Sequence, residues 1–187
     1  MVALVVSGDG TLAPNSLDGV TVVLVPIFNI DGHERFGPNN RPNQTGPQEM
    51  GWRTTAQNLN LNRDYLKADA PEMRAMLGLL DEWDPVAYVD LHVTDGAQFQ
   101  VDLGLMVDPA QAGPEPLATL ARSVRAAALE RLTKQGWMAT PFYPSFKDES
   151  NPIAGTSLGL FPARLSNGYW ASRNRLGILL ETHSWKD

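Results

Sequence analysis

The stretch Pro85-Val-Ala-Tyr-Val-Asp-Leu-His-Val-Thr-Asp-Gly96 decides the fold, because a short apolar run stops there abruptly at polar residues. Residues 86–91 have the β-branched and aromatic composition of a buried strand, and residues 93–96 are typical of the loop that follows. His92 is therefore predicted at the carboxyl end of a strand, the edge where open α/β sheets bind ligands. An imidazole there is a candidate metal ligand or acid–base group, and the alternative is a hydrogen-bonded structural histidine.

A second apolar run, Leu176-Gly-Ile-Leu-Leu180, also stops at polar residues, of which the first is Glu181. Two parallel strands that end at one edge of a sheet would bring this carboxylate close to His92. A glutamate beside an apolar run tends to have a raised pKa, which suits a general base near neutral pH. The alternative for Glu181 is a side chain that turns into solvent at the strand end.

Length and composition favour one domain and exclude several classes of function. The chain has 187 residues, 43% of them hydrophobic, which is enough for one sizeable core. Its net charge of -6 disfavours a nucleic-acid-binding face, which needs a basic surface. It has no cysteine, so disulfides, thiolate metal ligands and a thiol nucleophile are excluded. No apolar stretch reaches the roughly 20 residues of a membrane span, and no basic secretory n-region follows Met1. We therefore expect a soluble chain without a membrane partner, in an unknown compartment.

Two further segments shape the predicted fold. Residues 20–27, Val-Thr-Val-Val-Leu-Val-Pro-Ile, have the continuous β-branched pattern of a central strand buried on both faces. Residues 29–58 lack a sustained apolar period, and their aromatic side chains predict an ordered loop packed over a site. The order strand, loop, helix, strand predicts a crossover unit and an α/β fold with a mixed, mostly parallel central sheet flanked by helices.

Helices are predicted where apolar residues recur at helical spacing. The first begins near Ala70 or Pro71, with Asp69 as its N-cap. Its apolar face consists of Met73, Met76, Leu77, Leu80 and Trp83. A second helix, ended by Gly136, is marked by Leu117, Leu120, Val124, Ala128 and Leu132. A short third helix is predicted over residues 169–175.

Two arginines in polar surroundings are candidates for binding an anion. Arg53 and Arg63 both lie in predicted loops, where a planar guanidinium could hold a carboxylate through two hydrogen bonds or stabilise an oxyanion. The alternative for each is an ordinary surface arginine.

Five separated motifs occur together in one order along the chain. They are Asn29-Ile-Asp-Gly-His33, Arg53, Leu59-Asn-Leu-Asn-Arg63, Asp90-Leu-His92 and Leu180-Glu181-Thr182. In this order and approximate spacing, they resemble the zinc carboxypeptidases of the M14 (carboxypeptidase A-like) family, from about Val20 to the end of the chain.

The resemblance implies a mixed-sheet hydrolase with one zinc ion. His92 would be the third zinc ligand, and Glu181 the general base that activates the zinc-bound water. Arg53 would polarise the scissile carbonyl, while Asn62 and Arg63 would hold the terminal carboxylate of the substrate. Tyr169 would be the phenol brought to the substrate, with Tyr143 as its rival.

The sequence also departs from the family pattern. A catalytic zinc of this class is held by two histidines and one glutamate, with one position left for water. The family supplies the first two ligands from a His-x-x-Glu motif before the strand of residues 20–27, and no such motif occurs here. His92-Val-Thr-Asp95 is a His-x-x-Asp sequence, but Asp95 is not expected to substitute. The resemblance therefore implies a partial domain that lacks its first strands.

A partial domain has two expected physical consequences. A single imidazole holds zinc weakly against water, so the isolated chain should have little or no hydrolase activity. Missing strands would also leave a sheet edge exposed, so the chain is expected to self-associate. His183, two residues beyond Glu181, is a further candidate near the metal.

Two other functions remain open at this stage. A deacylase of the desuccinylase type would share the metal chemistry but cleave an N-acyl amino acid instead of a peptide. A non-catalytic carboxylate-binding fragment would keep Arg53 and Arg63 without the metal. In each case the partner is a small molecule or peptide with a free carboxylate.

Overall fold

The computed structural model describes residues 18–42, 47–94, 100–142, 145–148, 150–157 and 159–182. The four α-helices in these ranges are α1 (Ile30–Glu34), α2 (Pro71–Trp83), α3 (Glu115–Lys134) and α4 (Ser166–Ser172). The central sheet consists of β3 (Ala87–Val93), β4 (Leu103–Asp108), β5 (Ala139–Pro141) and β8 (Leu176–Thr182). Two short ladders complete the described strands, β1 (Gly37–Pro38) with β2 (Glu49–Met50), and β6 (Ser145–Phe146) with β7 (Thr156–Ser157).

The central sheet is mixed and has the strand order β3-β8-β4-β5. β3 and β8 are parallel, β8 and β4 are antiparallel, and β4 and β5 are parallel. Strand β8, the last of the described strands, therefore lies between two earlier ones, and α3 is the crossover from β4 to β5. The predicted α/β class with a mixed sheet flanked by helices is confirmed. Strand β4 was not predicted, although it pairs with two others.

One face of the sheet packs against α2 and α4. Its core is formed by Leu61, Tyr65, Ala70, Met73, Met76, Leu80, Tyr88 and Trp170. The methionines and Leu80 are buried on α2 at helical spacing, as predicted, whereas Trp83 at the helix end is about half exposed. This face also carries the polar residues at the carboxyl ends of β3 and β8, so the hydrophobic core supports the candidate site from below.

The opposite face packs against α3. Leu105, Val107, Ala110 and Ala121 form its buried core, and residues of β8 pack around them. The helix lies over β4 and β5, while Leu91 and Val93 of β3 are 52% and 54% exposed. The outer half of β3 is therefore an apolar surface beside an edge of the described sheet.

The prediction of a central strand over residues 20–27 is wrong. The segment has no strand structure, and its large apolar side chains are exposed at Val20, Val22, Leu24 and Ile27. Only Val25 and then Phe28 pack partly against the core. High β-propensity creates a strand only where a neighbouring strand supplies hydrogen bonds, and no strand in the described ranges pairs with this segment.

Residues 29–58 are ordered over their described part, as predicted. They contain α1 and the β1–β2 ladder, and the guanidinium of Arg35 lies 4.6 Å from the ring centre of Trp52. Phe36, in contrast, is largely exposed. A cation over an aromatic face stabilises such a loop without a hydrophobic core of its own.

Three details of the helices differ from expectation. Ala70 occupies the N-cap of α2 without a side-chain bond, and Asp64 instead accepts hydrogen bonds from the backbone N–H of Asp69 and of Ala70. Leu120 is half exposed because α3 turns Ala118 and Ala121 toward the sheet. Finally, α4 begins three residues before the predicted start at Tyr169.

No helix in the described part of the chain is long and apolar enough to cross a membrane.

Candidate active site

Asp90, His92 and Glu181 lie together near the carboxyl ends of β3 and β8. His92 is the register partner of Glu181 in this parallel pair, so both side chains project from the same face of the sheet. Asp90 lies two residues before His92, and the two-residue period of a strand places it on that face as well. The structure thus brings His92 and Glu181 together and adds Asp90 to them.

The imidazole of His92 lies between the two carboxylates. Its Nε2 is 2.9 Å from Asp90 Oδ2, and its Nδ1 is 3.5 Å from Glu181 Oε1. The shorter contact is a hydrogen bond, whereas the longer one lies beyond good hydrogen-bond geometry. The side chains of Asp90, His92 and Glu181 are 12%, 21% and 11% exposed. All three are therefore largely shielded from water.

Opposing effects act on the protonation of His92. Burial lowers the pKa of the imidazole, while the hydrogen bond and charge of Asp90, and then the charge of Glu181, raise it. The positive charge of Arg53 lowers it again, but the net pKa is raised. The site therefore favours a cationic group between the two carboxylates.

Arg53 is positioned by the segment that begins at Asn29. The Asn29 Nδ2 donates to the carbonyl oxygens of Arg53 and Trp52, at 3.2 and 3.4 Å, and its Oδ1 accepts from the Gly32 N–H at 3.0 Å. The Trp52 N–H donates to the Gly32 carbonyl at 2.7 Å. A Cβ on Gly32 would overlap the Trp52 carbonyl oxygen, so this close approach requires glycine. These hydrogen bonds, here called the Asn29 clamp, hold Arg53 near enough for its charge to act on His92.

Asn62 and Arg63 lie side by side on a 3-10 turn, Leu61–Arg63. The turn is capped by the Asn60 side chain, which accepts from the Asn62 N–H at 3.1 Å. Arg63 Nη1 donates to the Asn62 carbonyl at 2.7 Å, which orients the guanidinium along the turn. Arg63 is exposed to solvent.

A pair of tyrosines links this turn to the strand of His92. Tyr65 follows the turn directly, and its hydroxyl lies 2.6 Å from the hydroxyl of Tyr88 on β3. Both phenols are buried, and burial raises the pKa of Tyr65 and of Tyr88, with a further contribution from the charge of Asp90. The neutral pair therefore ties the Asn62–Arg63 turn to the same strand face as Asp90 and His92.

Tyr169 does not join the site. Its ring packs against Tyr65 with centroids 5.8 Å apart, and its hydroxyl accepts a hydrogen bond from Arg173 at 3.1 Å. Arg173 also forms an ion pair with Asp81, near the end of α2. These contacts explain Tyr169 as a packing residue of α4, and none of them is with His92. Asp95, Tyr143 and His183 lie outside the described residues.

Among the described residues, His92 fits one ligand position of a zinc site. Metal-bound histidines commonly donate their second ring N–H to a carboxylate, as His92 does to Asp90, and Nδ1 is then the nitrogen available to an ion. No group of three or more His, Cys, Asp or Glu side chains in the described ranges could hold a metal ion. The described residues therefore fit a single ligand, not a complete set.

Sequence reasoning missed two residues that shape the site. Asp90 was visible as part of Asp-Leu-His, and the strand period already placed it on the face of His92. Asn29 was visible as an asparagine two residues before an Asp-Gly pair, which is a typical N-cap and turn signal. Its bonds to Trp52 and Arg53 span more than twenty residues, which local patterns do not reveal.

Comparison with known proteins adds no assignment: no family model, curated protein or solved structure matches the chain.

Proposed function

We propose that this chain forms part of the catalytic site of a zinc-dependent hydrolase of the metallocarboxypeptidase type. The observation that carries the proposal is the pairing of His92 with Glu181, because the imidazole Nδ1 and a shielded carboxylate face each other across 3.5 Å. A zinc ligand and a general base need this arrangement, in which a water molecule can lie near both groups.

Each remaining residue has a role in this proposal. Glu181 accepts the proton of the attacking water, and Arg53 stabilises the negative charge that develops on the carbonyl oxygen of the substrate. Asn62 and Arg63 bind the terminal carboxylate, which fixes the register of the substrate. The contacts of Tyr169 give it no place among these groups.

Zinc would bind to His92 at one coordination position. The ion would supply polarisation of the scissile carbonyl and a water with a lowered pKa. Its other protein ligands would come from residues beyond the described ranges, from a second copy or from another polypeptide. The isolated chain is accordingly expected to bind zinc weakly and to hydrolyse substrate slowly or not at all.

Carboxylate recognition tests the proposal without depending on a complete metal site. We would titrate the chain with an N-acyl dipeptide and with the same compound amidated at its carboxyl end. Binding should require the free carboxylate and should be lost in Arg63→Ala. The matched control is Arg131→Ala, an exposed arginine of α3 on the other sheet face. Equal binding of the amide, or full binding by Arg63→Ala, would overturn the proposed role.

A non-catalytic carboxylate-binding protein is a second candidate. It is favoured by the lack of a complete metal-binding group among the described residues. Binding of the free carboxylate that persists after chelator treatment, with no zinc bound at His92, would favour this candidate. Where hydrolysis is measurable, competition between a peptide and an N-acyl amino acid would separate a carboxypeptidase from a deacylase.

A further inference from the structure

The turn that carries Asn62 and Arg63 is held by buried residues on both of its sides. Leu61, at its start, is 4% exposed and packs in the core on the α2 side of the sheet. Asp64, which follows Arg63, is 6% exposed and accepts two backbone hydrogen bonds at the start of α2, of 3.1 and 2.8 Å. These contacts fix the turn relative to α2.

Tyr65 connects the same turn to the central sheet. Its hydroxyl lies 2.6 Å from the hydroxyl of Tyr88 on β3. Tyr88 is 1% exposed and lies two residues before Asp90 and four before His92, so the three side chains project from one face of the strand. The hydroxyl pair therefore joins the turn to the strand face that carries the candidate site.

The surroundings of the two hydroxyls make this contact persistent. Tyr65 is 3% exposed, so water competes weakly for the hydrogen bond. The two rings pack edge to face, with centroids 6.2 Å apart and an angle of 79° between their planes. Burial raises the pKa of both phenols, so both remain protonated at neutral pH. The hydrogen bond is therefore retained over the pH range in which His92 titrates.

We propose that Tyr65 and Tyr88 are positioning residues, whose hydroxyl pair fixes the Asn62–Arg63 turn against the strand of His92. The pair thereby sets where a carboxylate bound at the turn lies relative to the reacting edge of the sheet. Without this link the turn keeps its attachment to α2 but is free to shift relative to β3. Recognition of a carboxylate by a guanidinium depends on geometry, so such a shift weakens binding.

The two parts of this proposal have different foundations. The fixing of the turn follows from the contacts of Tyr65 and Tyr88 and requires no ligand. The carboxylate as the ligand of the turn rests on the function proposed above. Each part has its own measurement, so failure of one is distinguishable from failure of the other.

Nitrogen-15 relaxation of the ligand-free protein tests the first part. The backbone order parameters of Asn62 and Arg63 should be lower in Tyr65→Phe than in the wild type, because the turn has lost its link to the sheet. Tyr169→Phe is the matched control. The ring of Tyr169 packs against Tyr65 at 5.8 Å, but its hydroxyl bonds to Arg173, so this variant loses a phenol hydroxyl without touching the pair. Equal order parameters in the wild type and both variants would overturn the fixing of the turn.

Carboxylate binding by single and double variants tests the second part. Tyr65→Phe leaves the hydroxyl of Tyr88 buried without a partner, so it should also lower the urea midpoint. In Tyr65→Phe/Tyr88→Phe neither hydroxyl remains, and most of that stability should return. The affinity for an N-acyl dipeptide should nevertheless be about tenfold weaker in both variants, comparable to the loss of one hydrogen bond to a charged group.

The double variant separates positioning from general structural support. A purely structural role predicts that affinity recovers together with stability, whereas a positioning role predicts that affinity stays low because the link is still absent. Recovery of affinity in the double variant, or unchanged affinity in Tyr65→Phe, would overturn the positioning role. Lowered order parameters in Tyr65→Phe, with no binding of the free carboxylate by the wild type, would support the fixing of the turn and count against the proposed hydrolase.

Discussion

Replacing Asn29 by alanine should release the backbone of Arg53 from the candidate site. The side chain caps α1 through the Gly32 N–H and donates to the carbonyls of Trp52 and Arg53. The lost cap costs about 1 kcal/mol, and each of the two long donor bonds about 0.5 kcal/mol, since they are partly exposed. The free energy of unfolding should therefore fall by about 2 kcal/mol.

The matched control is Asn40→Ala in the same segment. Asn40 Nδ2 donates to the carbonyls of Arg35 and Met50, at 2.6 and 2.8 Å, and makes no bond to Arg53. Its loss should destabilise the protein by a similar 1 to 3 kcal/mol, estimated as about two hydrogen bonds. The two variants should thus resemble each other in urea unfolding.

The pKa of His92 should distinguish the two variants. The charge of Arg53 lowers this pKa, so moving Arg53 away should raise it. NMR titration of His92 should give a higher pKa for Asn29→Ala and for Arg53→Gln, and an unchanged pKa for Asn40→Ala. If Asn29→Ala unfolds like the control and leaves the pKa of His92 unchanged, the clamp does not position Arg53 and the reasoning is refuted.

Three further predictions concern stability and association. Gly32→Ala should lower the urea midpoint, because a Cβ would overlap the Trp52 carbonyl oxygen. Gly78→Ala, in open space on α2, should instead raise the free energy of unfolding by about 0.5–1 kcal/mol. A Gly32→Ala variant that is more stable than Gly78→Ala would contradict the close packing at Gly32. Burial raises the pKa of Asp108, while the Asn167 hydrogen bond opposes it, so the folded protein holds this proton more tightly than the unfolded chain. The contribution of Asp108 to stability should therefore decline from about pH 4 upward through its folded pKa, and Asp108→Asn should become progressively more stable than the wild type with rising pH; parallel pH curves would rule this out. Leu91→Lys should reduce self-association in light scattering, because the exposed apolar half of β3 lies at an edge of the described sheet, and a monomeric wild type would disprove the expected association.

The two strands that carry His92 and Glu181 could be predicted because each is an apolar run ended by polar residues. Their pairing also followed, since parallel strands end at one edge. Strand β4 has the same pattern, an apolar run over residues 103–107 ended by Asp108, and could have been predicted from it, whereas its place beside β8 depends on a strand far along the chain. Residues 20–27 are the opposite case. They have the composition of a strand but form none, because no strand in the described ranges pairs with them. Local composition thus predicts segments, while pairing is decided by the rest of the fold.

The candidate site, like the fold, could be predicted only in part from the sequence. The types of His92, Glu181 and Arg53 indicated chemistry, and the strand ends indicated where two of them meet. The hydrogen bond of Asp90 could have been inferred from the two-residue period, but its length and the weaker contact of Glu181 required coordinates. Tyr169 was selected through the family resemblance, and its role toward a substrate stays a prediction; in the structure its hydroxyl accepts a hydrogen bond from Arg173.

Zinc binding by the purified chain, measured by elemental analysis and calorimetric titration, tests the central claim most directly. Wild-type protein should bind about one zinc ion weakly, and His92→Ala should abolish this binding. His33→Ala, which removes an exposed imidazole paired with Glu34, should leave it unchanged. No zinc binding, or binding that is the same in wild type and His92→Ala, would contradict the claim that His92 is a zinc ligand.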